Sequence, residues 1–272
     1  PVGGRGIGCL EGHKEAVTCL SFAADGHLVT AGHDNTARIW DVAGRRMVQA
    51  LSGHSGWIDS LALSPDGRHL ATGSWDATVK NWDIVTGAAI PQGHGHAGGV
   101  KALTGMDAGI VTGGRDGTVR LWEALTGRET AVLKGHVRGV TGVAALPGGR
   151  AAAASGDGTI RIWDLKSHQE TARLERPGAL TTLAGSPDGV HLVTGGQDGS
   201  VVLWNVNERR IVADSVGHKG GVLCAAFPPD GKLFATAGQD GAVVLWDPSA
   251  GTEIRRLGGH SKRVASVAFS PD

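Results

Sequence analysis

Tyrosine is absent from this chain of 272 residues, phenylalanine occurs 4 times, and all aromatics together make up 4%. A core built on stacked rings is therefore excluded, and each aromatic that does occur holds a position that asks for a reason. Cysteine is also scarce. Three residues, an odd number with no CxxC pair, exclude a disulfide-stapled scaffold and a thiolate zinc site. They read as free thiols in a reducing compartment. Cys19 and Cys224 both lie in apolar runs, which suits core packing. Net charge is missing: 26 Lys+Arg balance 26 Asp+Glu, so the clustered positive charge that nucleic acid or an anionic membrane rewards is not indicated. No apolar stretch approaches the roughly 18 residues of a membrane span. The opening residues from Pro1 carry no charged-then-apolar signal pattern, and a cytoplasmic location is the expectation. GxxxxGK[ST], HExxH and GxSxG do not occur.

Glycine is plentiful, at 45 residues, as suits a chain that turns often. Eight tryptophans are present, and six of them, at 40, 82, 122, 163, 204 and 246, follow one another at steps of 42, 40, 41, 41 and 42 residues. Each stands six residues after an aspartate: Asp34, Asp76, Asp116, Asp157, Asp198 and Asp240. Gly-His pairs recur upstream at His13, His54, His96, His136, His218 and His260, and Arg176 stands where the fifth repeat would carry its histidine. Such a fixed period marks a repeat architecture.

Within one period the pattern is that of short strands. In the second repeat WIDSLALS alternates, Pro65-Asp66-Gly67 turns, HLATGS follows, Asp76 turns again, and TVKNWDI leads to Thr86-Gly87. Strands of this length between Gly, Asp and Pro clusters form an antiparallel meander. No helical period of useful length is found. Four strands per repeat, a to d, are predicted, near 58–63, 69–74, 78–83 and 88–92 in the second.

The Gly-His…Trp-Asp spacing resembles the WD-repeat family, and the resemblance spans essentially the whole chain, 1–272, as a single domain. Five of the six aligned tryptophans precede Asp or Asn, and the sixth is Trp122-Glu123. The resemblance implies an all-β propeller of four-stranded antiparallel blades around a channel, acting as a monomeric scaffold for protein or peptide partners without catalysis or cofactor. The style of the repeats is similar to bacterial arrays that accompany kinase or other signalling domains, so a regulatory or sensor role within such an enzyme is the alternative.

The family likeness further implies a hydrogen-bonded tetrad of His, Thr, Asp and Trp in each blade: His13, Thr30, Asp34 and Trp40; His54, Thr72, Asp76 and Trp82; His96, Thr112, Asp116 and Trp122; His218, Thr236, Asp240 and Trp246. Donors and acceptors match in such a set. Ala153 breaks the fourth tetrad and Arg176 the fifth, where an ion pair to Asp198 could replace it. A His-Asp-Thr set invites comparison with a hydrolytic triad, but a set repeated in every blade is architecture. GHGHAG at 93–98 matches GxGxxG, yet no helix follows to receive a phosphate. His94 and His96 have no third metal ligand nearby. No catalytic, cofactor or metal residues are assigned.

In propellers of this family partners meet the face that carries the d–a and b–c loops. Two alignment columns sample it. One, just before the turn aspartate, reads His33, Trp75, Arg115, Gly156, Gln197 and Gln239. The other, three residues after the Gly-His histidine, reads Ala16, Trp57, Gly99, Gly139, Ala179, Gly221 and Arg263. Trp57 and Trp75 are the two tryptophans the repeat does not use. Trp and Arg dominate interface hot spots. Trp57, Trp75, Arg115, His33, Gln197, Gln239 and Arg263 are therefore the candidate partner-binding residues, suited to an apolar anchor with an acidic flank. A small molecule or substrate in the channel would need acids, bases or a metal set on strand a. Those segments read as small and apolar, with no cluster of acids or bases.

Residues 1–13 align without gaps to 248–260, which makes 1–12 a strand d, and 258–272 match a strand a with its first turn. Six complete blades plus strands a and d of an incomplete seventh are expected.

Overall fold

The computed structural model describes residues 8–23, 25–64, 67–90, 95–106, 109–124 and 126–271. Among them are six four-stranded sheets, each with its strands in chain order and antiparallel. They span 17–52, 58–90, 100–133, 140–175, 180–216 and 222–257, here blades 1 to 6. Strand a of each blade packs on strand a of the next, from blade 1 round to blade 6. The chain is an all-β propeller.

Local chemistry explains the blade. Strands a and b of blade 2, Ile58–Leu63 and His69–Ser74, form where alternation predicts them. Strand c is Val79–Asp83 and strand d is Ala89–Ile90. The turn at Pro65-Asp66 and residues 91–92 lie outside the described residues. The b–c turn needs a left-handed residue right after the aspartate. Gly117, Gly158, Gly199 and Gly241 meet that need with φ of 76, 83, 84 and 76°, while blades 1 and 2 place Asn35 and Ala77 there at 60 and 67°. Glycine takes this conformation freely, and an L side chain is strained in it.

The core lies between sheets. Val29, Ile39 and Leu51 of blade 1 pack on Ile58, Leu70 and Trp82 of blade 2. Val193 and Leu203 of blade 5 meet Val222, Phe234 and Trp246 of blade 6 in the same way. Each fully buried aliphatic side chain contributes about 1.5–3 kcal/mol, so a blade is stabilised chiefly by its neighbours.

One irregularity recurs. The a–b register shifts between Val17 and Cys19, Ile58 and Ser60, Val140 and Gly142, Leu180 and Thr182, and Val222 and Cys224, and the equivalent shift in blade 3 falls at Lys101. A bulge of this kind re-aims the side chain of the extra residue. The residues so re-aimed are Thr18, Asp59, Lys101, Thr141, Thr181 and Leu223.

Between blades 6 and 1 the packing differs. Neither strand expected of a seventh blade is seen among the described residues: 8–12 and 258–271 carry no strand, and 1–7 lie outside them. Residues 264–267 nevertheless run between the two inner strands. Val264 N–H donates to Gly238 at 3.1 Å, the Ser266 hydroxyl accepts from Leu20 N–H at 3.3 Å, and Ser266 also lies 4.0 Å from Cys224 Sγ. Val17, the first residue of strand a in blade 1, is 37% exposed, whereas its five counterparts Ile58, Val100, Val140, Leu180 and Val222 are at most 1% exposed.

Candidate functional site

The recurring polar residues are the most enzyme-like feature of the chain. In blade 2 the Trp82 indole N–H donates to Thr72 Oγ1 at 2.9 Å, Thr72 meets His54 Nε2 at 2.8 Å, and His54 Nδ1 meets Asp76 at 2.8 Å. Blades 1, 3 and 6 repeat the arrangement. Burial lowers the pKa of His54, as of His13 and His96. A neutral ring fits the relay, with Nε2 accepting from Thr and Nδ1–H donating to Asp. Burial opposes ionisation of Asp76, but hydrogen bonds from Thr78 and His54 outweigh it and hold the carboxyl at about 2. The threonine hydroxyls are buried and spent on partners, so none is a nucleophile within reach of a substrate.

Two blades depart from this pattern as the sequence implies. With Ala153 in place of threonine, His136 Nε2 is buried without a partner, although Nδ1 still meets Asp157 at 3.2 Å. In blade 5 Arg176 reaches Asp198 at 3.5 Å. It also pairs with Asp214 on strand d, through Nε at 2.9 Å and Nη2 at 3.2 Å.

The two sampled columns are neighbours in every blade. Backbone N–H groups of His33, Trp75, Arg115, Gly156, Gln197 and Gln239 donate to the carbonyls of Ala16, Trp57, Gly99, Gly139, Ala179 and Gly221 respectively, at 2.8–3.2 Å. Four of the candidate residues come together across blades 1 to 3. His33 stacks on Trp57 with centroids 4.1 Å apart and planes 13° apart. Trp57 meets Trp75 edge to face at 5.5 Å and 66°. The Arg115 guanidinium lies over the Trp75 ring, 3.9 Å from its centroid. Trp57 and Trp75 pack on each other and still stand 44% exposed, against 2% for each of the six repeat tryptophans.

The other three candidates lie apart from this cluster. Gln239 turns its Oε1 onto the Gly221 amide at 3.2 Å, and Gln197 lies on the same glycine, at blades 5 and 6. Arg263 is exposed in the segment after blade 6.

Two residues at the centre of the cluster escaped the sequence reading. Asp59 and Lys101 are the bulged residues of strand a in blades 2 and 3. Asp59 accepts from the Trp75 indole N–H at 2.8 Å and from Lys101 Nζ at 3.2 Å, and Arg115 Nη2 stands 3.8 Å away. The expectation of no acids or bases gathered on strand a is thus corrected. An ion pair joins two blades there, because the bulge turns both side chains to the same place. In blades 1 and 5 the bulged residue is threonine, whose hydroxyl donates to the next blade's Ile58 and Val222 carbonyls.

At the far end of strand a lies a cavity of about 500 Å³ lined by residues including Leu20, Phe22, Leu61, Leu103, Phe269 and Pro271. Its lining offers hydroxyls, Ser21, Ser64 and Thr104, but no acid or base. Among the described residues no group of three His, Cys, Asp or Glu converges as metal ligands; His94 lies outside them. Burial pushes the Cys19 thiol up to about 12 and raises that of Cys224, so neither is a thiolate at neutral pH.

Comparison with known proteins agrees with this architecture. The family described as WD domain, G-beta repeat matches at residues 4–41, 45–83, 89–123, 127–164, 169–205 and 210–247. Similar proteins include ribosome assembly protein 4 of Saccharomyces cerevisiae, 37% identical over 65 residues, 23% of this chain and 13% of that one. Guanine nucleotide-binding protein subunit beta-1 of Caenorhabditis briggsae is 39% identical over 59 residues, 22% of this chain and 17% of its own. The human WD repeat and SOCS box-containing protein 1 is 45% identical over 60 residues, 21% and 14% of the two chains. The matched part therefore spans less than a fifth of each of these relatives. Six matched repeats, six four-stranded blades and the recurring tetrads place this chain in the WD-repeat family.

Proposed function

We propose that the protein is a non-enzymatic interaction platform whose partner docks on the face carrying the d–a and b–c loops, centred on Trp57 and Trp75. The observation that carries this reading is their exposure. Two large aromatic side chains stand 44% exposed and in mutual contact, at positions where no other blade has an aromatic ring except His33, which stacks on Trp57. The fold does not call for tryptophan there. An exposed aromatic pair with an arginine beside it has the composition of an interface hot spot, where single residues contribute about 2–4 kcal/mol. Gln197, Gln239 and Arg263 would contribute at the rim. The relatives support the general role: one is named as a subunit of a guanine nucleotide-binding protein.

The test is quantitative capture. Proteins retained by the wild-type domain are identified, and their Kd is measured against Trp57→Ala/Trp75→Ala. Loss of binding by a folded double variant supports the site. Unchanged affinity for every partner removes it. The reading extends to a monomeric protein of a reducing, cytoplasmic setting, in keeping with the free thiols of Cys9, Cys19 and Cys224.

We also infer that residues 264–271 hold the inner-strand place of a seventh blade. Support comes from Ser266, which touches both neighbouring inner strands, and from the exposure of Val17, whose counterparts are all covered by an adjoining blade. Appending a segment of the GxxLATGSxDGxVxLWD pattern after Asp272 is expected to raise the melting temperature. No change, or a fall, would count against it.

A further inference from the structure

The cluster around Trp75 has an inside and an outside of opposite charge. Inside is Asp59, whose side chain is 6% exposed. Outside are Lys101 and Arg115, whose side chains are 38% and 45% exposed. One sheltered carboxylate thus faces two cations that reach solvent. The trade is uneven in hydrogen bonds as well. Asp59 takes one donor from Lys101 at 3.2 Å and one from Trp75 at 2.8 Å. Arg115 stands at 3.8 Å, outside hydrogen-bond distance, and among the described residues its guanidinium makes no hydrogen bond. Its five N–H donors on a planar group are thus not spent on acceptors among the described residues.

The aromatic rings narrow which ligand fits. The Arg115 guanidinium carbon sits 3.9 Å from the centroid of the Trp75 ring, so that face of the indole is already taken by a cation. His33 covers a face of Trp57. A cationic ligand seeking an indole face meets one face of each ring already taken, beside two like charges. An anion meets two exposed cations within reach of one another and an apolar surface alongside. Arg138, exposed on the next loop of the same face, extends the positive rim toward blade 4, where Gly139 packs on the Arg115 backbone.

We propose that Lys101 and Arg115 are the receptor for an acidic side chain, Asp or Glu, of an extended partner segment that lays a neighbouring large apolar residue on Trp57 and Trp75. Asp59 is a positioning residue: it holds Lys101 and the Trp75 ring, and through that ring Arg115, in the receiving geometry. A carboxylate matches the guanidinium fork and can share the lysine. The proposal rests on the reading of this face as a docking surface and adds the chemistry of what docks.

The test is selection from a displayed library of random heptapeptides on the wild-type domain, followed by Kd measurement on synthetic winners. Peptides with Asp or Glu next to a large apolar residue are expected. Their affinity should fall about tenfold or more for Lys101→Gln/Arg115→Gln and for the peptide with its acid changed to the amide. Amide peptide and double variant together should lose no more than either alone, and affinity should weaken with salt. Asp59→Asn should lower affinity with the two cations intact. Melting curves establish that each variant is folded. Winners that are basic, or that bind without regard to charge while still needing Trp57 and Trp75, overturn the carboxylate receptor and leave the docking face standing. Winners indifferent to both the cations and the tryptophans, or no winner at all, overturn the receptor and the peptide-docking surface together.

Discussion

The indole N–H of Trp75 donates to Asp59 Oδ2 at 2.8 Å, so an exposed tryptophan of the b–c turn is tethered to a sheltered carboxylate on the inner strand of its own blade. The tether runs on to Lys101 in blade 3 at 3.2 Å. What a solvent-facing ring would lose in order, this contact restores, and the ring is held ready rather than left to rotate.

That distinction between tryptophan classes can be measured without a partner. Six indoles are sealed between blades and two face water. Trp57→Ala/Trp75→Ala should abolish the fraction of fluorescence quenched by acrylamide, and should cost no more than about 1 kcal/mol of stability. A double variant that keeps its quenchable fraction would place the exposed rings elsewhere.

The tetrads rank the blades. Asp76→Ala removes the acceptor of a buried imidazole and should destabilise by about 1–3 kcal/mol. Asp157→Ala should cost less, because His136 Nε2 is already unpartnered. The converse substitution, Ala153→Thr, supplies the missing hydroxyl and should stabilise by about 0.5–1.5 kcal/mol. Denaturant melts of the three variants decide it; equal losses for the two aspartates would contradict the relay.

Blade 2 carries strain at Ala77, whose φ is 67° where four other blades have glycine. A left-handed L residue costs about 1–2 kcal/mol, partly offset in glycine by its looser unfolded chain. Ala77→Gly should therefore raise stability by roughly 0.5–1 kcal/mol. A thermal midpoint that falls would show the turn to be unstrained.

Acid should unfold the ring in two stages. Asp34, Asp76, Asp116, Asp157 and Asp240 lie at about 2, below the ordinary 3.8. Their contribution is complete above the unfolded value and is lost as pH falls through the folded one, from about 4 toward 2. His13, His54, His96 and His136 are lowered from 6.5 by burial. The unfolded chain therefore takes up their protons first, and stability begins to decline as pH drops below about 6.5. Melting temperature followed from pH 8 to 2 should be level, then slope, then steepen. A rise between about pH 6.5 and 4 would contradict this assignment.

The repeat was legible because its signals are redundant. Six tryptophans at one period, each with its aspartate and all but one with a histidine, fix the blade, and the same alignment brings Trp57 beside Trp75 and His33 beside Ala16. Asp59 and Lys101 were not legible. Alternation assigns each strand residue to one of two faces, and the bulge at the second position of strand a obeys neither. Arg176 illustrates the same limit. Its bond to Asp198 follows from the aligned turn, whereas its bidentate partner Asp214 sits on strand d, where the repeat has no marker.

The bond from Leu20 to Ser266 joins residues 246 apart in the chain, while each blade is a meander of neighbours. Nearly every other contact can form soon after its own segment is available; this one must wait for all six sheets. Folding of such a molecule is a series of quick local events followed by one slow long-range closure. Until that closure the inner strands of the first and last blades are open edges, and this interval is when the chain is most exposed to pairing with the wrong neighbour.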